Sequence, residues 1–196
     1  MNTQVLKPFH KTKNDQLKDF FTNHEEWIAT DSHVAVHVKH KTAAAAATNT
    51  TFFKNHTPVN EKESLLIERI KNHLNTVERD NHDNHAITLD ELSLYTNLST
   101  YHERLNEHVI IFEHTGEIAS DHGTFRPTKI NTYLTGISVK QKYLKTITAF
   151  LDKMNITNNE VNIFRHVSSP LNAIHFFADA QHYTIQIVLM PLKLNR

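Results

Sequence analysis

Histidine occupies 16 of 196 positions. Imidazole is the commonest metal ligand and the one side chain whose ordinary charge change falls near neutral pH. At an unperturbed pKa near 6.5, sixteen histidines add about four positive charges at pH 7 and about fifteen at pH 5, so the chain is expected to turn strongly cationic in mild acid. Chelation asks for more than abundance. His33 and His37 stand four apart, which suits one face of a helix, but Val34, Val36 and Val38 alternate through them and predict a strand. On a strand the two rings lie roughly 13 Å apart, at about 3.3 Å per residue, too far to grip one ion. The segment Asp80-Asn-His82-Asp83-Asn-His85 is the better metal candidate, because an irregular loop can turn two imidazoles and two carboxylates inward. Without such a cation it reads as a polar linker between helices. No HExxH pattern occurs, and no cofactor is expected.

A second chemistry is phosphodiester cleavage. On a strand, residues i and i+2 point the same way, so a His and a Thr two apart can face one phosphate as acid or base and hydrogen-bond donor. His182-Tyr-Thr184 is such a pair in a predicted strand, and His122-Gly-Thr124 or His166-Val-Ser168 could supply its partner. The pattern resembles the H-x-[ST] motifs of two-histidine phosphoesterases. That resemblance implies a catalytic set of His182 and Thr184 with His122 and Thr124. The His122-Gly-Thr124 letters are also similar to the His-Gly-Thr sequence of some ADP-ribosyl transferases, but the flanking ASD and FRP read as loop. His10-Lys-Thr12 and His40-Lys-Thr42 repeat the triplet elsewhere, so its presence alone does not mark a site.

Other classes are excluded by what the chain lacks. Three glycines, Gly116, Gly123 and Gly136, form neither a phosphate-cradling loop nor a dinucleotide fingerprint, and G-x-S-x-G is absent. Zero cysteine removes disulfides, thiolate chemistry and Cys-based zinc sites. Basic and acidic residues balance at 21 each, and the Lys39–Lys41 and Lys140–Lys145 clusters are short, so nucleic acid is not expected as a partner. Lys140, Lys142 and Lys145 read as the solvated face of a helix. The longest apolar run, Ile185 to Leu192, is far short of the roughly 20 residues that span a bilayer, and no N-terminal secretory signal stands out. A cytoplasmic location, or export without such a signal, is expected.

The elements that must position these residues follow from periodicity. Leu17, Phe20, Phe21, His24, Trp27 and Ile28 lie at helical spacing, and a strand over His33–Lys39 follows. TAAAAATNTT at 42–51 reads as a flexible connection, after which Phe52 and Phe53 are expected to dock it on the core. Capping boxes predict three helices, opening at Asn60 with Glu63, Thr88 with Glu91 and Ser138 with Gln141. The first carries Leu66, Ile70, Leu74 and Val77, and the second Leu92, Tyr95, Leu98 and Leu105. The third carries Tyr143, Ile147, Phe150 and Met154, with Leu144 and Leu151 beside them and Asn155 at its end. Strands are expected at Val109–Phe112, Ile130–Ile137, Glu160–Val167, Ala173–Ala178 and Tyr183–Met190, the last two as a hairpin.

The predicted architecture is α+β, with helices packed on a largely antiparallel sheet and a C-terminal β-hairpin. Residues 1–41 form an N-terminal helix and strand of the same domain, 42–51 a flexible segment and 52–196 the main domain. Without a patterned active site, the expected function is non-catalytic: an interaction or regulatory protein whose partner is another protein. The composition fits a bacterial accessory or host-directed protein, and the phosphoesterase is the alternative.

Overall fold

A computed structural model describes residues 3–10, 19–41, 51–75, 86–127, 134–165 and 173–194. The chain is mixed α+β, mostly strand, and its strand pairings are antiparallel. Two units with the same order of elements dominate its second half. In the first, strand β6 (Ala86–Thr88) leads into helix α2 (Leu89–Tyr95) and then into β8 (Glu107–Phe112), β9 (Ile118–Ser120) and β10 (Gly123–Phe125), with a short β7 (Thr100–His102) paired along β8. In the second, β11 (Ile137–Lys140) leads into α3 (Gln141–Lys153) and then β12 (Glu160–Arg165), β13 (Ile174–Asp179) and β14 (Tyr183–Leu189). Each unit gives its first strand to the other: β6 pairs with β12 and β11 pairs with β8. Helices α2 and α3 lie side by side.

The second unit's sheet extends into the N-terminal residues. Strand β3 (Val34–His40) pairs with β14 over seven residues, β2 (Glu26–Thr30) pairs with β3, and β1 (Phe21–Thr22), β4 (Phe53–Lys54) and β5 (Thr57–Pro58) continue the sheet to nine strands. The alternation of β3 decides its faces. Val34, Val36 and Val38 lie opposite Leu189, Ile187 and Ile185, and all six are buried against the layer that holds α3. A 3-10 helix at Thr3–His10 joins that layer, burying Leu6 and Phe9, and the Phe9 ring meets Phe150 edge-on at 5.1 Å. On the opposite face, helix α1 (Glu61–Asn75) sets Ile67 against Phe21 and Ile28, and Leu74 against Val188 and Ala173.

Several expected elements change. The stripe through Phe20, Phe21, Trp27 and Ile28 is not a helix but two short strands, turned by Asn23, whose Oδ1 accepts the N–H groups of Glu25 and Glu26 at 2.8 Å each. Ile28 and Ala29 are both fully buried because this strand is covered on both faces, and two-sided burial erases the alternation that would have marked it. The box at Asn60 and Glu63 forms reciprocally, each side chain taking the other's backbone N–H at 3.0 Å. At the second helix only half of it forms: Thr88 Oγ1 accepts from Glu91 N at 3.0 Å, while the Glu91 carboxylate takes the Tyr95 hydroxyl. That helix ends at Tyr95, leaving Leu105 exposed in a 3-10 turn. At the third, Ser138 belongs to β11 and the helix starts at Gln141, whose amide reaches Thr96 O at 2.7 Å and Ser99 Oγ at 2.9 Å. The strand expected over Ile130–Ile137 starts at Ile137 instead, and residues 128–133 lie outside the described residues. So do 42–50.

With its one side-chain cap on a seven-residue helix, Thr88→Ala is expected to cost about 1 kcal/mol of stability, read from urea unfolding, with a serine at the same position retaining most of it.

Candidate functional site

Of the sequence-predicted site residues, His122, Thr124, His182 and Thr184 are described, and the two pairs lie on different sheets. Asp80, His82, Asp83 and His85 lie outside the described residues, as does His166. His122 and Thr124 are exposed on the β9–β10 hairpin of one sheet, whereas His182 is exposed in the β13–β14 turn of the other and Thr184 is half-buried in β14. The neighbours of the His182 ring are His40, at 6.3 Å, and Tyr183. His175 is buried in β13 beside His73 and Phe177. No group of three or more acidic or imidazole ligands gathers among the described residues. Nothing in this placement supports the phosphoesterase reading, whose two motifs would have to meet at one phosphate.

What the fold does build is a cleft of about 360 Å³ where α1 crosses the sheet. Leu66, Arg69, Ile70, His73 and Leu74 line it from the helix. Val34, Ala35, Val188 and Met190 line it from β3 and the end of β14, and Thr30, Ser32 and His33 close it from the β2–β3 turn. Most of this lining is aliphatic, and its volume lies in the range of sites that take a small ligand or a few side chains. The turn is held from within. Asp31 Oδ1 accepts the N–H groups of His33 and Val34 at 2.9 Å each, Ser32 N donates to Thr30 Oγ1, and Ser32 takes a left-handed φ of 77°. Met190 N donates to His33 O at 2.9 Å, which ties the turn to the residue after β14.

The helical wall is fixed by a buried charge cluster. Lys71, on α1, donates to Glu26 Oε1 at 2.6 Å, and His37 Nε2 lies 2.6 Å from Glu26 Oε2. Burial alone would raise the Glu26 carboxyl, but the hydrogen bonds to His37 and Lys71, with their charges, outweigh it and hold the pKa at about 2. The Lys71 ammonium also sits 5.4 Å from the Phe52 ring, which packs on the Phe21–Ile28–Ile67 cluster. Lys54 pairs with Glu63 at 3.1 Å nearer the helix start.

On the other side of the sheet lies a second surface. The exposed face of α3 carries Lys142, Lys145 and Lys153 against a single acid, Asp152. Glu107 pairs with Lys140 at 2.8 Å and Lys142 at 2.5 Å, and those ammonium groups hold its carboxyl below the usual range. Tyr143, between this face and the cleft turn, stacks on His33 at 5.5 Å. Its phenol is pushed up to about 12, by burial first and then by the carboxylates of Asp31 and Glu107.

No protein-family model matches this chain, and no curated protein matches its sequence. Its fold is similar to the DNA polymerase sliding clamp from Bacillus subtilis, with TM-score 0.53 and 11% identity over 99% of this chain and 62% of that one. It is also similar to the beta subunit from DNA polymerase of Streptococcus pyogenes, with TM-score 0.52 and 10% identity over 98% of this chain and 62% of that one. The chain thus spans less than two thirds of the length of either, and the likeness is one of fold. It overturns the expectation that nucleic acid is no partner. That expectation rested on net charge, whereas these proteins with the same fold are described as sliding clamps and subunits of DNA polymerases. Balanced totals say nothing of distribution, and α3 concentrates lysine on one face.

Sequence reasoning missed the cleft because its walls come from three distant segments, 30–35, 66–74 and 188–190. The one local signal was Asp31-Ser32 between the apolar run Trp27–Ala29 and the alternating valines of β3, a turn signature hidden by reading Trp27 and Ile28 as helix. Among the described residues, no helix is long and apolar enough to cross a membrane.

Proposed function

We propose that this chain is a non-catalytic docking protein of the clamp fold, which receives a segment of a partner protein in the α1–β3–β14 cleft while the lysine face of α3 meets nucleic acid. The apolar cleft carries the reading. A preformed site lined by Val34, Leu66, Ile70, Leu74, Val188 and Met190 gains affinity by removing a partner's aliphatic or aromatic side chains from water. Its polar groups among the described residues stand around that lining, and the Ser32 Oγ–His33 Nδ1 contact there, at 3.4 Å, is an exposed one between neighbouring turn residues. The similarity to DNA polymerase sliding clamps supports a role at DNA, and a bacterial, cytoplasmic setting goes with it, both of those structures being of bacterial proteins.

The test uses decapeptides selected from a random phage-displayed library by the full chain. Fluorescence anisotropy is expected to show them binding the double variant Ile70→Gln/Met190→Gln at least about tenfold more weakly, since each substitution forfeits burial worth about 1.5 kcal/mol or more. Unchanged unfolding midpoints keep the comparison fair. Equal affinity for both proteins removes the cleft as the docking site.

A further inference from the structure

The cleft's lining is apolar, but its polar groups have one electrostatic sense. Among the described residues of the lining, Arg69 is the only one with a fixed charge, and none carries a carboxylate. Arg69 stands exposed on α1. Its neighbours one turn away, Leu65, Leu66, Asn72 and His73, include no acid, so the helix itself offers it no carboxylate. Nearby cations are committed elsewhere, Lys71 to Glu26 and Lys54 to Glu63, whereas the Arg69 guanidinium pairs with no carboxylate among the described residues. A guanidinium presents a planar fork of donors that matches a carboxylate through two parallel hydrogen bonds. An arginine so placed, beside an apolar cleft whose described lining holds no acid, favours one kind of occupant by charge complementarity.

Resting on the docking function above, we propose that the partner segment carries an aspartate or glutamate beside its apolar anchors, and that Arg69 is the residue that selects it. The anchors fill the space between Ile70, Leu74 and Val188, and the carboxylate meets the fork at the mouth. A lysine or arginine at the same place in the segment meets only like charge and is disfavoured.

The same random decapeptide library decides the matter when it is panned on the wild-type chain, on Ile70→Gln/Met190→Gln, on Arg69→Gln and on Arg69→Lys. Peptides captured by the wild type and not by the cleft variant are expected to be enriched in Asp or Glu at one fixed offset from their apolar residues. Arg69→Gln is expected to erase that enrichment and to weaken acid-bearing peptides about fivefold relative to their Asn or Gln counterparts. Arg69→Lys is expected to restore most of the preference, which a purely structural role for Arg69 would not produce. Cleft-dependent peptides without acidic enrichment, or enrichment that survives Arg69→Gln, would overturn the proposal. A library yielding no cleft-dependent peptide at all would instead overturn the docking function, and this selectivity with it.

Discussion

Glu26→Gln is expected to destabilise the chain by about 3 kcal/mol, because it removes the carboxylate that both a buried imidazole and an α1 ammonium depend on. The side chains of Glu26 and His37 are only 10% and 9% exposed, so water cannot replace the lost partner there, while Lys71, at 32%, can turn outward and recover part of its hydration. Lys71→Met should therefore cost less than Glu26→Gln, since it leaves the Glu26–His37 pair intact. The same cluster fixes an acid limit. The Glu26 carboxyl is held at about 2, below its ordinary 4.5. A depressed acid stabilises the fold fully above the unfolded value and loses that contribution as pH falls through the folded one. The window is thus about pH 4.5 down to about 2. Urea unfolding across it should show the wild type losing about 3 kcal/mol more than Glu26→Gln does over the same span. Parallel curves for the two proteins would mean that Glu26 is not the group responsible.

Reversing Lys142, Lys145 and Lys153 together to glutamate is expected to weaken binding to a 30-base-pair duplex by about a hundredfold or more at low salt. If each lysine neutralises one phosphate, the logarithmic salt dependence should also become shallower by about 2.7, at about 0.9 per contact. The three side chains are exposed, Lys140 remains to hold Glu107, and the new carboxylate at 142 can turn to solvent, so the unfolding midpoint, measured alongside, should fall only slightly. Electrophoretic mobility shifts over a salt series give both quantities. An unchanged slope would place any nucleic-acid contact elsewhere than α3.

Much of the fold could be read where one physical signal dominated. The run Val109–Phe112, the alternation of Val34, Val36 and Val38, and the strands at Glu160, Ala173 and Tyr183 all reappear within a residue or two, because each follows a clear turn or a regular period. Leu144, Ile147, Phe150 and Leu151 are buried on α3 as their spacing predicts. The failures share a cause, which is that distant residues decided the outcome. Trp27 and Ile28 fit a helical stripe as well as a strand, and only pairing with β3 chooses between them. Gln141 was spaced to cap its own helix with Ser138, but its amide is drawn to Thr96 and Ser99 at the end of α2. Strands of two or three residues, such as β6 and β9, are too short to show a period at all. The cleft was illegible for the same reason, because its walls meet through contacts between distant residues, Leu74 on Val188 and Lys71 on Glu26, the latter 45 residues apart. The histidines that drew first attention are dispersed by the fold into separate structural tasks: His37 in the Glu26 cluster, His33 against Tyr143, and His175 behind His73.

The exchange of first strands between the two β–α–β units bears on how the chain is born as well as how it stands. Strand β6 waits for β12 and β8 waits for β11, so neither unit can complete its sheet before the other has been made. Strand β3 waits longest, since its partner β14 lies far along the chain, Val36 pairing with Ile187. During translation the valines of β3 therefore stay without their sheet neighbour, as an unpaired edge of the sort that invites association with other nascent chains. Pairings so distant in sequence also close late and slowly. Completion of the sheet should consequently await the emergence of β14, with chaperone demand concentrated in the interval before it.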